Sequence, residues 1–251
     1  MLVRSLALTI IFACVLGSVA AASAQKDLDS AASHEKIAFI LVTDQTATGV
    51  DQAKDMIKQA MRQVKNAEMV ELDRSDPASA DLVAKFRLAG APVPVILVAA
   101  RNGVLAGGLP AAQATADKLV AMVPSPKKAE VLLALQSGKA VLVSASRGNM
   151  ATRPGASAAC AAACGQMQQQ CVTVEIDMDD PAETAFLTQM KVNMASAEPV
   201  ILVINAQGQV TGSYAGAADV TALVQAATKK VGGCCPKTVQ NPNASCAPPK
   251  K

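Results

Sequence analysis

One sequence pattern occurs twice in this chain, and that repeat constrains the fold more than any other feature. The segment Val70–Ala78 returns as Val174–Ala182, and Pro94–Val98 returns unchanged as Pro199–Val203, each about 105 residues later. Stacked solenoid repeats have periods of only about 20–50 residues. The long period, with one change of length inside it, therefore predicts a duplicated domain.

The beginning of the chain has the composition of an export signal. Arg4 supplies a positive charge, Leu6–Val19 is apolar and uncharged, and Ala22–Ala24 is a small-x-small cleavage site. The apolar stretch is shorter than the roughly 20 residues that span a bilayer. Residues 1–24 are therefore predicted to be a cleaved signal peptide, which leaves no membrane span and places the protein in the periplasm or outside the cell.

Charge and aromatic content argue against nucleic acid as a partner. The formal net charge is only +3, aromatic residues make up 2% of the chain, and basic residues occur in pairs such as Lys127-Lys128 rather than in long runs. A nucleic-acid-binding domain needs a basic surface and, for single strands, aromatic rings on which bases stack. The expected partner is instead a protein or peptide of the periplasm.

Hydrophobic patterns and turn signals predict the same order of elements in both halves. In the first half we expect strands at 36–42, 68–72, 94–99 and 104–107, with helices at 50–64, 77–88 and 111–123. In the second half we expect strands at 140–144, 172–176, 199–204 and 209–214, with helices at 129–136, 154–169, 181–190 and 218–229. The chain then divides into an N-terminal arm (25–34), a first domain (35–123), a linker (124–128), a second domain (129–231) and a Cys/Pro-rich tail (232–251).

This order of elements, with a strand that opens on proline and a hairpin at a glycine, resembles the thioredoxin-like fold superfamily. The resemblance covers about residues 35–123 and 129–230. It implies an α/β fold: two tandem thioredoxin-like domains, each with a central mixed sheet flanked by helices. In the family the proline at this place follows a cis peptide bond, so the resemblance implies cis bonds before Pro94 and Pro199.

Both halves depart from the family at the active site. Redox-active members carry Cys-x-x-Cys just after the first core strand, and neither half of this chain does. The first half has the cysteine-free loop Thr43–Gly49, which resembles redox-silent domains and predicts a binding or spacer module around that loop and Val93-Pro94. The second half has Cys160 and Cys164, a Cys-x3-Cys pair.

All cysteines beyond the predicted signal peptide lie in the second half of the chain. Their even number in an exported protein indicates disulfide bonds. The candidates are Cys160, Cys164, Cys171, Cys234, Cys235 and Cys246.

Three roles for these cysteines remain open from the sequence. In a redox role, Cys160 attacks, Cys164 resolves and Pro199 shapes the site, provided that the helix begins at Ser157 so that its N-terminus stabilises a Cys160 thiolate. In a copper role, Cys160 and Cys164 bind the metal together with Cys171 or Met167, since soft thiolates suit such ions. In a structural role, the three tail cysteines bond to the other three.

We expect the redox role: an exported thioredoxin-like protein whose second domain carries an accessory thiol/disulfide function. No cofactor is expected unless the copper interpretation holds. Glu198 weighs against the redox role, because a carboxylate beside a thiolate raises the thiol's pKa.

Overall fold

The computed structural model describes residues 24–231 as two α/β units in series. Residues 1–23 and 232–251 lie outside the described part, and with them nearly all of the predicted signal peptide and the candidate disulfide partners Cys234, Cys235 and Cys246.

The first unit is built on a four-stranded sheet with the order β2-β1-β3-β4. Strands β1 and β2 are parallel, whereas β3 is antiparallel to both β1 and β4. The elements in chain order are α1 (Ala24–Ser33), β1 (Ile37–Thr43), α2 (Val50–Gln63), β2 (Ala67–Asp73), α3 (Ala80–Lys85), β3 (Val95–Ala99), β4 (Leu105–Pro110) and α4 (Ala116–Ala121).

The second unit repeats this plan with the order β6-β5-β7-β8 and the same strand directions. Its elements are α5 (Pro126–Gln136), β5 (Ala140–Ser146), α6 (Arg153–Gln166), β6 (Cys171–Asp177), α7 (Thr184–Gln189), β7 (Val200–Ile204), β8 (Val210–Ala215) and α8 (Val220–Thr228). The predicted class of two tandem mixed sheets flanked by helices is confirmed.

Each sheet is covered by helices on both faces, which explains why its central strands are almost continuously apolar. In the first unit, α1 and α3 pack on one face and α2 and α4 on the other. In the second unit, α5 and α7 cover one face and α6 and α8 the other. The central strands β1, β3, β5 and β7 are buried along nearly their whole length.

The predicted N-terminal arm is wrong, because these residues form helix α1. Leu28 and Ala31 pack against the first sheet just as Val131 and Ala134 of α5 pack against the second. Helix α1 is therefore part of the repeated unit. His34 directly follows this helix; it is exposed, and its Nδ1 atom lies 2.8 Å from the Ser30 carbonyl oxygen.

The predicted linker is shorter than expected, because helix α5 already begins at Pro126. Ser125 caps it by accepting a hydrogen bond from the Lys128 amide, and proline is favoured at a first helical position. The buried carboxylate of Glu183 fixes this start: it accepts hydrogen bonds from the Ser125 hydroxyl at 2.6 Å and the Lys127 amide at 2.9 Å.

Helix α5 also joins the two units. Its residue Ala129 packs with Ala100 and Val104, which belong to the hairpin between β3 and β4. The Asn102 side-chain amide donates to the Ala129 carbonyl at 2.9 Å, and the Gln136 amide donates to the Leu105 carbonyl at 2.7 Å. The second unit thus rests on the hairpin end of the first sheet. Over residues 24–231, the structure contains no helix with the length and apolar character needed to cross a membrane.

Candidate functional site

The predicted thiol site of the second unit begins with Cys160, which is deep in the core. Helix α6 starts at Arg153 with Pro154 in its first turn, so Cys160 lies two turns into the helix rather than at its N-terminus. The residue is fully buried, and this burial, with the charge of Glu175 as a smaller contribution, raises the pKa of its thiol to about 11. Cys160 is therefore protonated at neutral pH and shielded from attack on a substrate disulfide.

The predicted partner of Cys160 is engaged elsewhere, because Cys164 forms a disulfide with Cys171. Their Cα atoms are 4.9 Å apart, within the range that a disulfide spans. Cβ atoms four residues apart on a helix are about 5–6 Å from each other, which is too far for an unstrained bond between Cys160 and Cys164. Because Cys164 is bonded to Cys171, the structural alternative in which the tail cysteines bond to Cys160, Cys164 and Cys171 does not hold. Within the described residues Cys160 is a free thiol.

The disulfide lies at the opposite end of the sheet from the family's active-site position. Cys171 is the first residue of β6 and pairs with Ala140, the first residue of β5. The loop that corresponds to the family's active site follows the last residue of β5, Ser146. The bond therefore joins the end of α6 to the start of β6, far along the strands from that loop.

The two prolines occupy matching places but differ in peptide geometry. Pro94 directly precedes β3 and Pro199 directly precedes β7. Their carbonyls accept hydrogen bonds from the amides of Ala111 and Gly216, the residues that directly follow β4 and β8. The Val93-Pro94 bond is cis, as predicted, whereas the bond before Pro199 is not. The segment between β6 and Pro199 is one residue longer than the segment between β2 and Pro94. Within it, the Ser196 hydroxyl donates a hydrogen bond to the Glu198 carbonyl at 2.7 Å.

The carboxylate of Glu198 lies over Gly216, the residue that follows β8. A Cβ atom at Gly216 would approach the Glu198 Oε2 atom to 2.7 Å, and the Gly216 φ angle is +74°. The positive φ angle favours glycine there, whereas the Glu198 carboxylate is the end of a flexible side chain and could move away from a Cβ atom. The acidic side chain predicted to disfavour a thiolate thus packs against the backbone beside Pro199.

An arginine–aspartate ion pair occupies the active-site corner of the first unit. Arg74 contacts Asp44 through two nitrogens, at 2.9 and 2.7 Å, and donates to the Leu88 and Ala91 carbonyls at 3.2 and 2.7 Å. Hydrogen bonds from Thr46, together with the Arg74 guanidinium, hold the pKa of the Asp44 carboxyl below its usual range. The pair ties the loop after β1 to the segment that leads to Pro94.

The second unit has an equivalent ion pair with the two charges exchanged: the arginine follows the first strand of the unit and the aspartate follows the second. Arg147 follows β5 and contacts Asp179, which follows β6, at 2.9 Å. It also donates to the carbonyls of Met194 and Ser196 before Pro199. Our sequence analysis missed both pairs, although Asp44 and Arg147 stand at equivalent places just after their strands.

No metal centre is apparent among residues 24–231. That part of the chain contains no cluster of three or more His, Cys, Asp or Glu side chains placed to bind an ion. The predicted copper ligands do not meet as thiolates, because the sulfurs of Cys164 and Cys171 are bonded to each other and Cys160 is enclosed in the core.

Comparisons with known proteins give matches among solved structures. No protein-family model and no curated protein sequence matches the chain. Among solved structures, the chain is similar to the first two thioredoxin domains of Eps1p from Naumovozyma dairenensis (10% identity over 79% of this chain and 92% of that one, TM-score 0.31). The corresponding Saccharomyces cerevisiae Eps1p domains (11%, 82% and 96%, TM-score 0.31) and zinc-bound human ERp44 (9%, 79% and 55%, TM-score 0.34) are further matches.

The strand order and directions found here are those of that fold in each unit. The chain therefore folds as two tandem units of thioredoxin-like topology. Neither domain has a cysteine at the active-site corner, where each instead has an arginine–aspartate pair.

Proposed function

We propose that this protein is an exported, tandem thioredoxin-like binding protein that performs no thiol chemistry at the usual active-site corners. Its first domain binds a protein or peptide segment at the end of the sheet formed by Thr43–Gly49 and Val93-Pro94. One observation carries this proposal: within residues 24–231 the second domain packs against the hairpin around Asn102, at the opposite end of that sheet, while Gln45, Thr46 and Gly49 at the Pro94 end are exposed.

The Pro94 end of the sheet has a fixed conformation in the absence of a partner. Arg74 bridges the loop after β1 and the segment before Pro94 through a two-nitrogen contact to Asp44 and two carbonyl contacts. Val93 and Pro94 are themselves half-buried. A preorganised surface loses less conformational entropy on binding, which favours affinity.

An accessory thiol/disulfide role is the second candidate, and it would use different sulfurs from those predicted. Cys164 is half-exposed and bonded to Cys171, whereas Cys160 is fully buried with a raised thiol pKa. Exchange in the second domain would therefore proceed through the Cys164–Cys171 bond.

Export to the periplasm or the cell exterior is part of the proposal. The signal-like composition of residues 1–24 supports it, and so does the disulfide, because such bonds persist mainly in oxidising compartments. Fractionating cells that produce the full chain, followed by N-terminal sequencing of the protein, tests this point. Recovery of an uncleaved chain in the cytoplasm would contradict it.

Site-specific photo-crosslinking tests the binding surface. A photoreactive residue at Thr46 should capture a defined partner in the compartment where the protein resides. The same residue at Arg101, on the hairpin side, is the matched control and should not capture that partner. Capture should fall when Arg74 is replaced by methionine in the Thr46 variant. Equal capture from both positions, or none from Thr46, would refute the assignment of this surface.

A further inference from the structure

The turn between β3 and β4 contains the only Asn-Gly sequence of the chain, Asn102-Gly103. An asparagine side-chain amide can react with the backbone nitrogen of the next residue, because the two groups are tethered close together. Glycine in the second place leaves that nitrogen unshielded, since it has no Cβ atom. Both residues are exposed. The turn therefore contains the groups needed to convert Asn102 into an acid without an enzyme.

In the folded chain, hydrogen bonds hold these groups away from reaction. The Gly103 amide donates to the Ala100 carbonyl at 2.9 Å, and the Asn102 Oδ1 atom accepts from the Val104 amide at 3.3 Å. The Asn102 Nδ2 atom donates to the Ala129 carbonyl at 2.9 Å. Ala129 belongs to α5 of the second unit. The last of these bonds therefore exists only while the two domains are docked.

We propose that Asn102 is a deamidation site whose rate is set by the docking of the second domain, and that its conversion weakens that docking. The Gly103 nitrogen loses its proton to solvent and attacks the Asn102 Cγ atom. A bond forms between these two atoms while the Cγ–Nδ2 bond breaks, and the nitrogen leaves as ammonia with a proton from solvent. One water molecule then opens the five-membered imide at either carbonyl carbon, which gives aspartate or isoaspartate. The conversion consumes water and involves no oxidation or reduction.

The product no longer fits the junction between the domains. A carboxylate has no hydrogen to donate, so it cannot bond to the Ala129 carbonyl, and two acceptor oxygens face each other instead. Isoaspartate also adds one atom to the main chain of the turn that places Val104 against Ala129. Because the ammonia is lost to solvent, the contact between the domains weakens progressively with the age of the molecule. The site lies at the end of the first sheet opposite the proposed binding surface and is independent of it.

The equivalent turn of the second unit provides an internal control. Gly208 has the same left-handed backbone as Gly103, with φ angles of +79° and +75°, but the residue before it is Gln207. The glutamine side chain is one methylene longer, so its cyclisation gives a six-membered ring, which forms far more slowly. Asn102→Gln is therefore the matched variant that keeps a side-chain amide in the first turn.

Incubation of the full chain at neutral pH, followed by mass spectrometry of its peptides, measures the conversion. Asn102 should convert slowly in the unaltered chain, whereas Gln207 should stay an amide. Ala129→Lys puts a charged side chain into the buried contact with Ala100 and Val104. Conversion of Asn102 should then be about tenfold faster, the factor expected when a hydrogen bond and its packing are lost.

A second variant covers the case in which Ala129→Lys does not fold, as judged by circular dichroism. Gln136→Ala removes only the hydrogen bond from α5 to the Leu105 carbonyl and should speed the conversion about threefold. Equal rates in the unaltered chain and in the folded variants would overturn the control by docking.

Hydrogen exchange tests the consequence of the conversion. Asn102→Asp, which has the side chain of one product, should speed exchange of the Val104 amide about fivefold, since one hydrogen bond fewer resists local opening. Asn102→Gln should exchange equally before and after prolonged incubation. The proposal is wrong if Asn102→Asp exchanges at the rate of the unaltered chain.

Discussion

Replacing Ser144 with alanine should stabilise the second domain. The Ser144 hydroxyl is the one buried side-chain polar atom within residues 24–231 that has no hydrogen-bond partner. Leaving such a group buried and unpaired costs about 1–3 kcal/mol. The small cavity that the missing oxygen atom leaves destabilises the folded state by only about a few tenths of a kcal/mol, which offsets little of the stabilisation. We therefore expect Ser144→Ala to raise the free energy of unfolding by about 1.5 kcal/mol, a rise in Tm of about 4 °C.

Urea denaturation followed by circular dichroism measures this change. The midpoint should rise while the m-value stays constant, because the surface exposed on unfolding is nearly the same. Ser125→Ala is the matched control. Its hydroxyl is paired with Glu183 and caps α5, so its removal should lower stability by about 1 kcal/mol. A loss of stability in Ser144→Ala would show that the hydroxyl has a partner and that the reasoning is wrong.

Four further predictions concern the Cys160 thiol, the disulfide and Arg74. The Cys160 thiol, with its pKa raised to about 11, should resist alkylation in the folded protein at neutral pH and react on unfolding; mass spectrometry of alkylated protein measures this. Because that folded pKa exceeds the ordinary value of 9.0, the folded state holds the proton more tightly, and stability should fall as pH rises from about 9 to 11, as urea midpoints will show. Removing the Cys164–Cys171 bond by double substitution to serine, in a chain whose tail cysteines are also serine, should cost about 2.5 kcal/mol in unfolding free energy, the loop-closure entropy for a separation of 7 residues. Arg74→Met should lower the free energy of unfolding by about 2 kcal/mol, because the hydrogen bonds to two carbonyls are lost. Arg74→Lys should restore only part of this free energy, since lysine lacks the guanidinium fork. An unaltered urea midpoint in Arg74→Met would contradict this.

The repeated sequence predicts the fold well because local patterns and topology agree. Buried runs such as Ile37–Val42 and Pro199–Ile204 have no other stable place than the centre of a covered sheet. Helix α1 is hard to predict because its sequence is short and mostly polar, although Leu28 and Ala31 have the same spacing as Val131 and Ala134.

The cysteine site was poorly predictable for a reason specific to helix α6. Its first residue decides whether Cys160 benefits from a helix N-terminus, and the sequence offered both Ser157 and Pro154 as starts. The pairing of Cys164 with Cys171 depends on how α6 turns into β6, which the spacing of residues alone does not fix. The first domain has Leu41 and Ile57 where the second has Ser144 and Cys160, a comparison that identifies the latter two as core positions.

The two ion pairs have exchanged charges, and this affects which strands can pair when the two similar halves of the chain fold. Strands β3 and β7 begin with the same five residues counted from their prolines, so apolar packing hardly separates correct from incorrect partners. If β1 paired with β6 instead of β2, Asp44 would face Asp179; if β5 paired with β2, Arg147 would face Arg74. Each wrong pairing places like charges together, and only the native arrangement gives two attractive contacts. The exchanged charges therefore favour pairing within each half over pairing between the halves, by a small amount because Asp179 is 64% exposed.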